Sequence, residues 1–268
     1  MAKTELNTGN VALILVGLPA RGKTFVSRNL SKYLRWIGIK TRTFSVAHYR
    51  RKLVGLQMRH EFFDPFNPTI MAERIRIANI ALDEMCEWFT VPNQVAIYDA
   101  ANITKQRRED IKAILLLRNV HCVFIECLCD DPQLILRDID DTIKFSPDYV
   151  GVDHEIAVKD MQRRIEHYEN VYESIQDPDE SYIKMINHGD KVIMNNCKSY
   201  LQSKILYYLL NVNQFKHAIY MCASGGGLVK RAYKEDSSLQ PAEEEFAKHL
   251  HEYIERNGSR EIRVIFVY

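Results

Sequence analysis

Several things this chain has little of narrow its class first. Its 268 residues carry almost no net charge, with 36 basic residues against 35 acidic. That balance gives no support for a nucleic-acid-binding or membrane-binding surface, so any phosphate-rich ligand has to be held by locally clustered cations. No apolar run approaches membrane-spanning length, and residues 1–10 are polar with no secretory core. The six cysteines (Cys86, Cys122, Cys127, Cys129, Cys197, Cys222) include no C-x-x-C pair, and Cys127-Leu128-Cys129 is too tight for an ordinary zinc knuckle. Reduced thiols in a soluble, cytoplasmic protein are the expectation. His48, His154 and His188 lack metal-ligand spacing and read as structural or surface residues. Internal repeats and low-complexity tracts are missing as well. With 46% hydrophobic residues the chain can bury a sizeable core, enough for one large domain, or one domain plus a fragment.

What is present begins with Gly17-Leu18-Pro19-Ala20-Arg21-Gly22-Lys23-Thr24, entered by the apolar run Val11–Val16 and left by a helical pattern through Phe25, Val26, Leu30, Tyr33 and Leu34. This is the phosphate-binding loop G-x-x-x-x-G-K-[ST] in the strand–turn–helix context it requires. Its glycines let the backbone curl so that successive N–H groups face phosphate oxygens. The helix that starts there adds the positive end of its dipole. Lys23 is placed to meet the β- and γ-phosphates, and the Thr24 hydroxyl to ligate Mg²⁺. All eight loop residues are therefore assigned to the nucleotide.

Apolar strands are expected at Val11–Val16, 41–46, Val95–Asp99 and 120–129, and a hairpin at 181–187 and 191–194. Helices are expected at Lys23–Trp36, 70–89, Lys105–Leu117, 134–143, 154–175 and 199–210, and residues 61–69, with three phenylalanines and two prolines, read as an irregular surface loop. Strands alternating with helices imply an α/β fold, a mostly parallel sheet flanked by helices in the manner of P-loop NTPases. Character changes after about residue 213. A strand at 218–222, a Gly-rich stretch, a helix at 242–254 and a terminal strand at 262–268 have too little apolar material to make an independent domain comfortably.

A phosphate loop says only that a nucleotide binds. Asp99 ends its strand, so it belongs beside the loop at the carboxyl edge of the sheet, where it could hold Mg²⁺ or orient an attacking hydroxyl. Its bland role would be to cap the next helix, for which Asn102-Ile103-Thr104 is better suited. Arginines recur near element ends: Arg50 and Arg51, Arg74 and Arg76, Arg107 and Arg108, Arg163 and Arg164. Singly, each reads as a solvated surface residue. Together, in a chain of neutral net charge, they favour a phosphorylated acceptor gripped through bidentate guanidinium contacts. Cys129 ends a strand near Asp99 and reads as a buried thiol.

The loop, Tyr33-Leu34-Arg35-Trp36-Ile37-Gly38, Tyr49-Arg50-Arg51, Asp99-Ala100-Ala101-Asn102, Ser146-Pro147-Asp148-Tyr149 and Arg163-Arg164-Ile165-Glu166-His167-Tyr168-Glu169 together resemble the kinase half of the bifunctional 6-phosphofructo-2-kinase/fructose-2,6-bisphosphatase family. The resemblance runs from about Val11 to Cys222. It implies transfer of the ATP γ-phosphoryl group to the 2-hydroxyl of fructose 6-phosphate, with Lys23, Asp99 and Cys129 at the catalytic centre and Thr24 and Asp99 on the metal. It also implies that Arg50, Arg74, Arg107, Arg164 and Tyr168 hold the sugar phosphate, with Ala101 beside them, and that the chain can form a homodimer.

Three departures qualify it. The family usually reads Asp-Ala-Thr-Asn where this chain has Asp99-Ala100-Ala101-Asn102, which removes a hydroxyl expected to touch the sugar. A family lysine aligns on Ile143, leaving Lys144, one place later, to supply its charge by swinging in or through a register change before Pro147. Where the phosphatase half begins strand-Arg-His-Gly-Glu, this chain reads Tyr220-Met221-Cys222-Ala223-Ser224-Gly225-Gly226, without the phosphoryl-accepting histidine. The expectation is a kinase domain over residues 1–213 and a truncated, degenerate start of a histidine-phosphatase-like domain over 214–268, a short α/β remnant without bisphosphatase activity. Two alternatives stand beside it: a catalytically weak relative that serves as regulator or partner of an active paralogue, and a P-loop kinase for another metabolite.

Overall fold

The computed structural model describes residues 9–56, 59–212, 221–222, 245–246, 248–249, 251–253 and 266–267. The chain divides into two compact units, Met1–Asn213 and Gln214–Tyr268.

The first unit is built on β1 (Val11–Val16), β2 (Thr41–Ser45), β3 (Val95–Asp99), β4 (His121–Leu128), β5 (Tyr182–Ile186) and β6 (Lys191–Asn195), in the order β2-β3-β1-β4-β5-β6. Neighbours from β2 through β5 pair in parallel, and β6 returns antiparallel to β5. β1 is buried at every position, as a central strand covered on both faces must be. Its alternate side chains feed two cores. Leu13 and Leu15 pack with Val26, Leu30 and Leu34 of α1 (Lys23–Trp36) and with Leu201, Ile205 and Leu209 of α7 (Tyr200–Asn211). Ala12, Ile14 and Val16 pack with Ala81, Leu82 and Met85 of α3 (Pro68–Trp88) and with Ile111 and Leu115 of α4 (Lys105–Leu117). A third cluster joins Ile139 and Ile143 of α5 (Pro132–Phe145) to Ala157, Met161 and Ile165 of α6 (His154–Glu169).

Local chemistry sets the helix starts. Asn67, Thr104, Asp131, Asp153 and Ser199 each accept backbone N–H bonds at the N-termini of α3 to α7, and Ser199 with Gln202 completes a capping box. α1 differs: its N-cap is Gly22, in the left-handed region at φ 72°, with no side-chain cap. The first amides of α1 are thereby left to an external acceptor, as a phosphate loop requires.

One helix had not been expected, and two expectations need correcting. The basic segment after β2 is a helix, α2 (Val46–Leu53), which buries Arg50. Residues 61–69 are only in part the irregular surface loop expected: 64–67 are irregular, but His60–Phe63 form a 3₁₀ turn with Phe63 buried, and Asn67-Pro68 opens α3. The helix expected to reach residue 175 ends at Glu169, because the following segment is pulled onto the sheet. There the Tyr172 hydroxyl and the Ile175 amide donate to the fully buried carboxylate of Glu126 at 2.5 and 3.2 Å, and the Glu173 amide donates to the Ile103 carbonyl at 2.9 Å.

In the second unit β7 (Met221–Cys222) and β8 (Phe266–Val267) pair in parallel, and residues 245–246, 248–249 and 251–253 are helical. The rest of the strands expected at 218–222 and 262–268, and Ala223–Gly227 with Ser224, lie outside the described residues.

Candidate active site

The carboxyl ends of β1 and β3 converge on the phosphate loop. Gly17 sits at φ 139°, and a Cβ there would lie 2.5 Å from the Cys127 carbonyl oxygen, so the loop passes β4 at a distance only glycine allows. Its amide donates to the Ala101 carbonyl at 2.9 Å, and the Asn102 side chain donates to the Leu15 carbonyl at 2.8 Å. The segment after β3 thus holds the end of β1 on both sides of Val16. Ala20, at φ 49°, and Gly22 give the loop its curl. The buried Arg21 guanidinium donates to the Ala20 and Pro19 carbonyls at 3.0 and 3.3 Å and lies 3.9 Å from Glu169 of α6.

Lys23 donates its ammonium to the Leu18 carbonyl within the loop. Burial pushes its pKa down to about 8, against the pull of Cys127 and Asp99 and with the help of Arg21. The Thr24 hydroxyl donates to Asp99 Oδ2 at 3.1 Å. Asp99 is buried, and that desolvation raises its pKa although Lys23, Thr24, Arg28 and Ser45 all favour the carboxylate. One hydroxyl and one carboxylate oxygen, side by side at a strand end, form a hard-donor pair that fits Mg²⁺, which takes few protein ligands when phosphate supplies others.

A second group of residues gathers around Phe63. The Arg164 guanidinium of α6 lies 3.6 Å from the ring centre, Arg74 of α3 at 5.7 Å and Arg50 of α2 at 5.8 Å. Arg74 also donates to the Phe63 carbonyl at 2.9 Å and lies 5.0 Å from the ring of Tyr168, itself 6.2 Å from Phe63. Arg50 pairs with Asp148 at 2.5 Å, and Arg51 grips the same carboxylate at 3.0 and 3.2 Å. Burial of Asp148 opposes its charge, but the bonds from Arg50 and Arg51 outweigh it and hold the carboxyl below its ordinary pKa. One nitrogen of Arg50, Nη1, is buried without a hydrogen-bond partner among the described residues. Burial also lowers the pKa of Arg164. A buried set of guanidiniums with an orphaned donor is what an anion site looks like before its anion arrives.

The other anticipated residues fall as follows. Arg107 donates to Asn79 Oδ1 at 2.8 Å and to the Tyr98 hydroxyl at 3.3 Å, beside the strand that ends in Asp99. Cys129 lies just beyond β4 instead of ending it and is half-buried instead of buried; its thiol is 3.8 Å from the Asp131 carbonyl, and the burial it has raises its pKa. Ala101 serves the loop through its backbone. Ile143 is buried in the third cluster, against which Ala20 of the loop packs. Lys144, about 100° further round the helix, is exposed, with its ammonium 5.7 Å from the Phe145 ring. The inward position therefore belongs to Ile143, and the expected swing of Lys144 toward the loop is not the arrangement found.

Phe63, Asp148 and Glu169 join the site without having been assigned to it from sequence. Asp148 lies in a quoted motif, between Pro147 and Tyr149. Phe63 had no signal beyond its aromatic neighbours.

The family model described as 6-phosphofructo-2-kinase matches residues 1–216. Among curated proteins, 6-phosphofructo-2-kinase/fructose-2,6-bisphosphatase 4 of Rattus norvegicus is 38% identical over 258 residues, covering 94% of this chain and 55% of its own. The 6-phosphofructo-2-kinase/fructose-2,6-bisphosphatase of Arabidopsis thaliana is 36% identical over 256 residues, covering 92% of this chain and 34% of its own. The chain spans about half the length of the first of these relatives, and less of the plant protein. Among solved structures, the Mycobacterium tuberculosis APS kinase CysC in complex with AMPPNP and APS is 14% identical at a TM-score of 0.44, over 76% of this chain and 98% of that one.

Proposed function

The chain belongs to the 6-phosphofructo-2-kinase family, and from that premise we propose that it transfers the γ-phosphoryl group of ATP to the 2-hydroxyl of fructose 6-phosphate, giving fructose 2,6-bisphosphate and ADP. The observation that carries this reading is the pairing of two anion sites at one edge of the sheet: an intact phosphate loop, and a buried guanidinium cluster whose Arg50 Nη1 lacks a partner among the described residues. The loop backbone beyond Pro19 and the Lys23 ammonium hold the ATP polyphosphate, and Arg50, Arg74 and Arg164, with Tyr168, hold the phosphate of the sugar. Arg107 completes the acceptor side from α4.

Thr24 and Asp99 would hold Mg²⁺, which supplies charge neutralisation at the β- and γ-phosphates. The sugar 2-hydroxyl oxygen attacks the γ-phosphorus, the bond from that phosphorus to the β-bridging oxygen breaks, and the hydroxyl proton leaves to water, with Asp99 orienting the reacting groups. Such a loose transfer needs positioning and charge compensation more than a strong base. The thiol of Cys129 plays no chemical part in this scheme.

Bisphosphatase activity is absent in this reading, because Ser224 stands where the family resemblance places the histidine that accepts the phosphoryl group, and serine cannot form that phosphohistidine. A cytoplasmic location and a homodimer belong to the same proposal; among the described residues no helix is long and apolar enough to cross a membrane.

The decisive experiment is a coupled assay for fructose 2,6-bisphosphate with excess ATP and Mg²⁺. Formation of the product, with no phosphate released from added fructose 2,6-bisphosphate, is the expected result. Turnover only on another sugar would overturn the acceptor, and phosphate release would overturn the missing phosphatase.

A second reading is favoured by one observation: the position of the family lysine is held by buried Ile143 while Lys144 faces solvent. A weak relative, acting as a regulator or partner of an active paralogue, would bind both ligands yet give no product in that assay.

A further inference from the structure

Three helices contribute one arginine each to the acceptor cluster, and a single side chain touches all three. The Phe63 ring lies within 3.6 to 5.8 Å of the guanidinium carbons of Arg164, Arg74 and Arg50, and the Phe63 carbonyl accepts a bond from Arg74. Three like charges held this close repel one another unless something between them is attractive. A carboxylate would do it by consuming N–H donors, as Asp148 does for Arg50 and Arg51. An aromatic face attracts the flat of a guanidinium through its quadrupole and leaves the N–H edges directed elsewhere.

The turn that carries the ring is itself fixed from α6. The Asp160 carboxylate accepts the His60 amide at 2.7 Å and the Tyr149 hydroxyl at 2.8 Å. The His60 ring bridges Arg163 and His167, at 3.2 Å to each. Asp160, Arg163 and His167 follow one another at helical spacing, beside Arg164 and Tyr168. One helix therefore both supplies part of the cluster and clamps the turn under it.

We propose that Phe63 is a positioning residue for the acceptor: its ring gathers Arg50, Arg74 and Arg164 and aims their donors at one phosphate group. The claim rests on the reading that these arginines hold the sugar phosphate. Phe63 touches no reacting atom, so its loss acts on acceptor binding and leaves the phosphate loop alone.

The test compares wild type, Phe63→Leu and Phe63→Met, which keep an apolar side chain of similar reach without the π face, and Phe63→Tyr, which keeps the face. Steady-state kinetics with fructose 6-phosphate and ATP are read alongside calorimetric binding of fructose 6-phosphate and the melting temperature. The Leu and Met variants are expected to raise the fructose 6-phosphate KM about tenfold, with kcat and the ATP KM within about twofold of wild type. Phe63→Tyr is expected to stay within about threefold of wild type throughout. An unchanged fructose 6-phosphate KM in the variant that folds, or equal rises in both KM values, overturns the inference; the second is what a purely structural residue would give. If wild type neither turns over nor binds fructose 6-phosphate, the reading beneath it fails and the inference with it. Normal wild-type turnover with insensitive Phe63 variants sinks the inference alone.

Discussion

Lys23 offers the sharpest quantitative test of the nucleotide side. Its ammonium is pushed from the ordinary 10.5 to about 8 by burial, and it donates to the Leu18 carbonyl. A polyphosphate placed against it favours the charged form, so nucleotide binding raises that pKa again. The sign follows. Affinity is full while free Lys23 is protonated, falls as pH rises through about 8, and levels off only near the raised pKa of the complex. If only the ammonium form binds well, going from about pH 7 to about pH 9 weakens binding about tenfold. The stability of the unliganded fold moves the opposite way: the unfolded chain binds the extra proton between about 8 and 10.5, so this group's contribution rises with pH there. General alkaline loosening would lower both, which makes the pair of measurements discriminating. The assay is calorimetric titration with a non-hydrolysable ATP analogue and Mg²⁺ across that range, on wild type and Lys23→Arg. The arginine variant, which does not titrate, is expected to give a flat profile at reduced affinity. A flat wild-type profile, or an equal fall in Lys23→Arg, would refute the reasoning.

Three further perturbations follow from the geometry. Gly17→Ala forces a Cβ to within 2.5 Å of the Cys127 backbone carbonyl at a φ that L residues avoid, costing about 1–3 kcal/mol, and is expected to raise the ATP KM by about tenfold or more while sparing the fructose 6-phosphate KM. Asp148→Asn removes the partner of two guanidiniums, one of them buried, and is expected to cost about 3 kcal/mol in denaturant unfolding. Because the folded-state pKa of Asp148 lies below 3.8, its stabilisation is present above that value and lost as pH falls through the folded pKa, so the variant should also flatten the acid limb of the stability curve. Ala101→Thr restores the hydroxyl common in the family and is expected to lower the fructose 6-phosphate KM about fivefold; an unmoved KM would remove Ala101 from the acceptor site.

What the sequence disclosed tracks how local the determining chemistry is. The phosphate loop is written in four fixed residues, and Val11–Val16, Lys23–Trp36, Val95–Asp99 and Lys105–Leu117 have the bounds that periodicity and capping residues predict. α2 escaped because eight residues with three consecutive cations show little apolar stripe; Val46 and Tyr49 pack on the core only in part, and its buried residue is Arg50. The end of α6 escaped because Glu126, more than forty residues earlier in the chain, captures Tyr172 and Ile175. Asp148 and Phe63 escaped for the same reason on a larger scale. Their partners come from helices widely separated in sequence, and neither a lone Asp in a Ser-Pro-Asp-Tyr run nor a Phe in a proline-bounded stretch carries a periodic signal.

The two anion sites stand in different condition. On the proposed acceptor side cations are assembled in advance, at the expense of desolvating Arg50 and Arg164, and Asp148 and the Phe63 ring are among the groups that offset the repulsion. On the nucleotide side Lys23 and Thr24 are in place, but the neighbouring position that the family resemblance gives to a lysine is filled by Ile143, packed in a cluster that reaches Ala20 of the loop. An apolar side chain there packs against the loop at Ala20 and, in the proposed reaction, lacks the charge that would offset the transferring group. Ground-state binding depends mainly on the assembled parts, whereas the transition state depends on total charge compensation. In the proposed reaction, a deficit at this position is expected in kcat and not in either KM, which is why product formation, and not ligand binding, separates an active kinase from a binding relative.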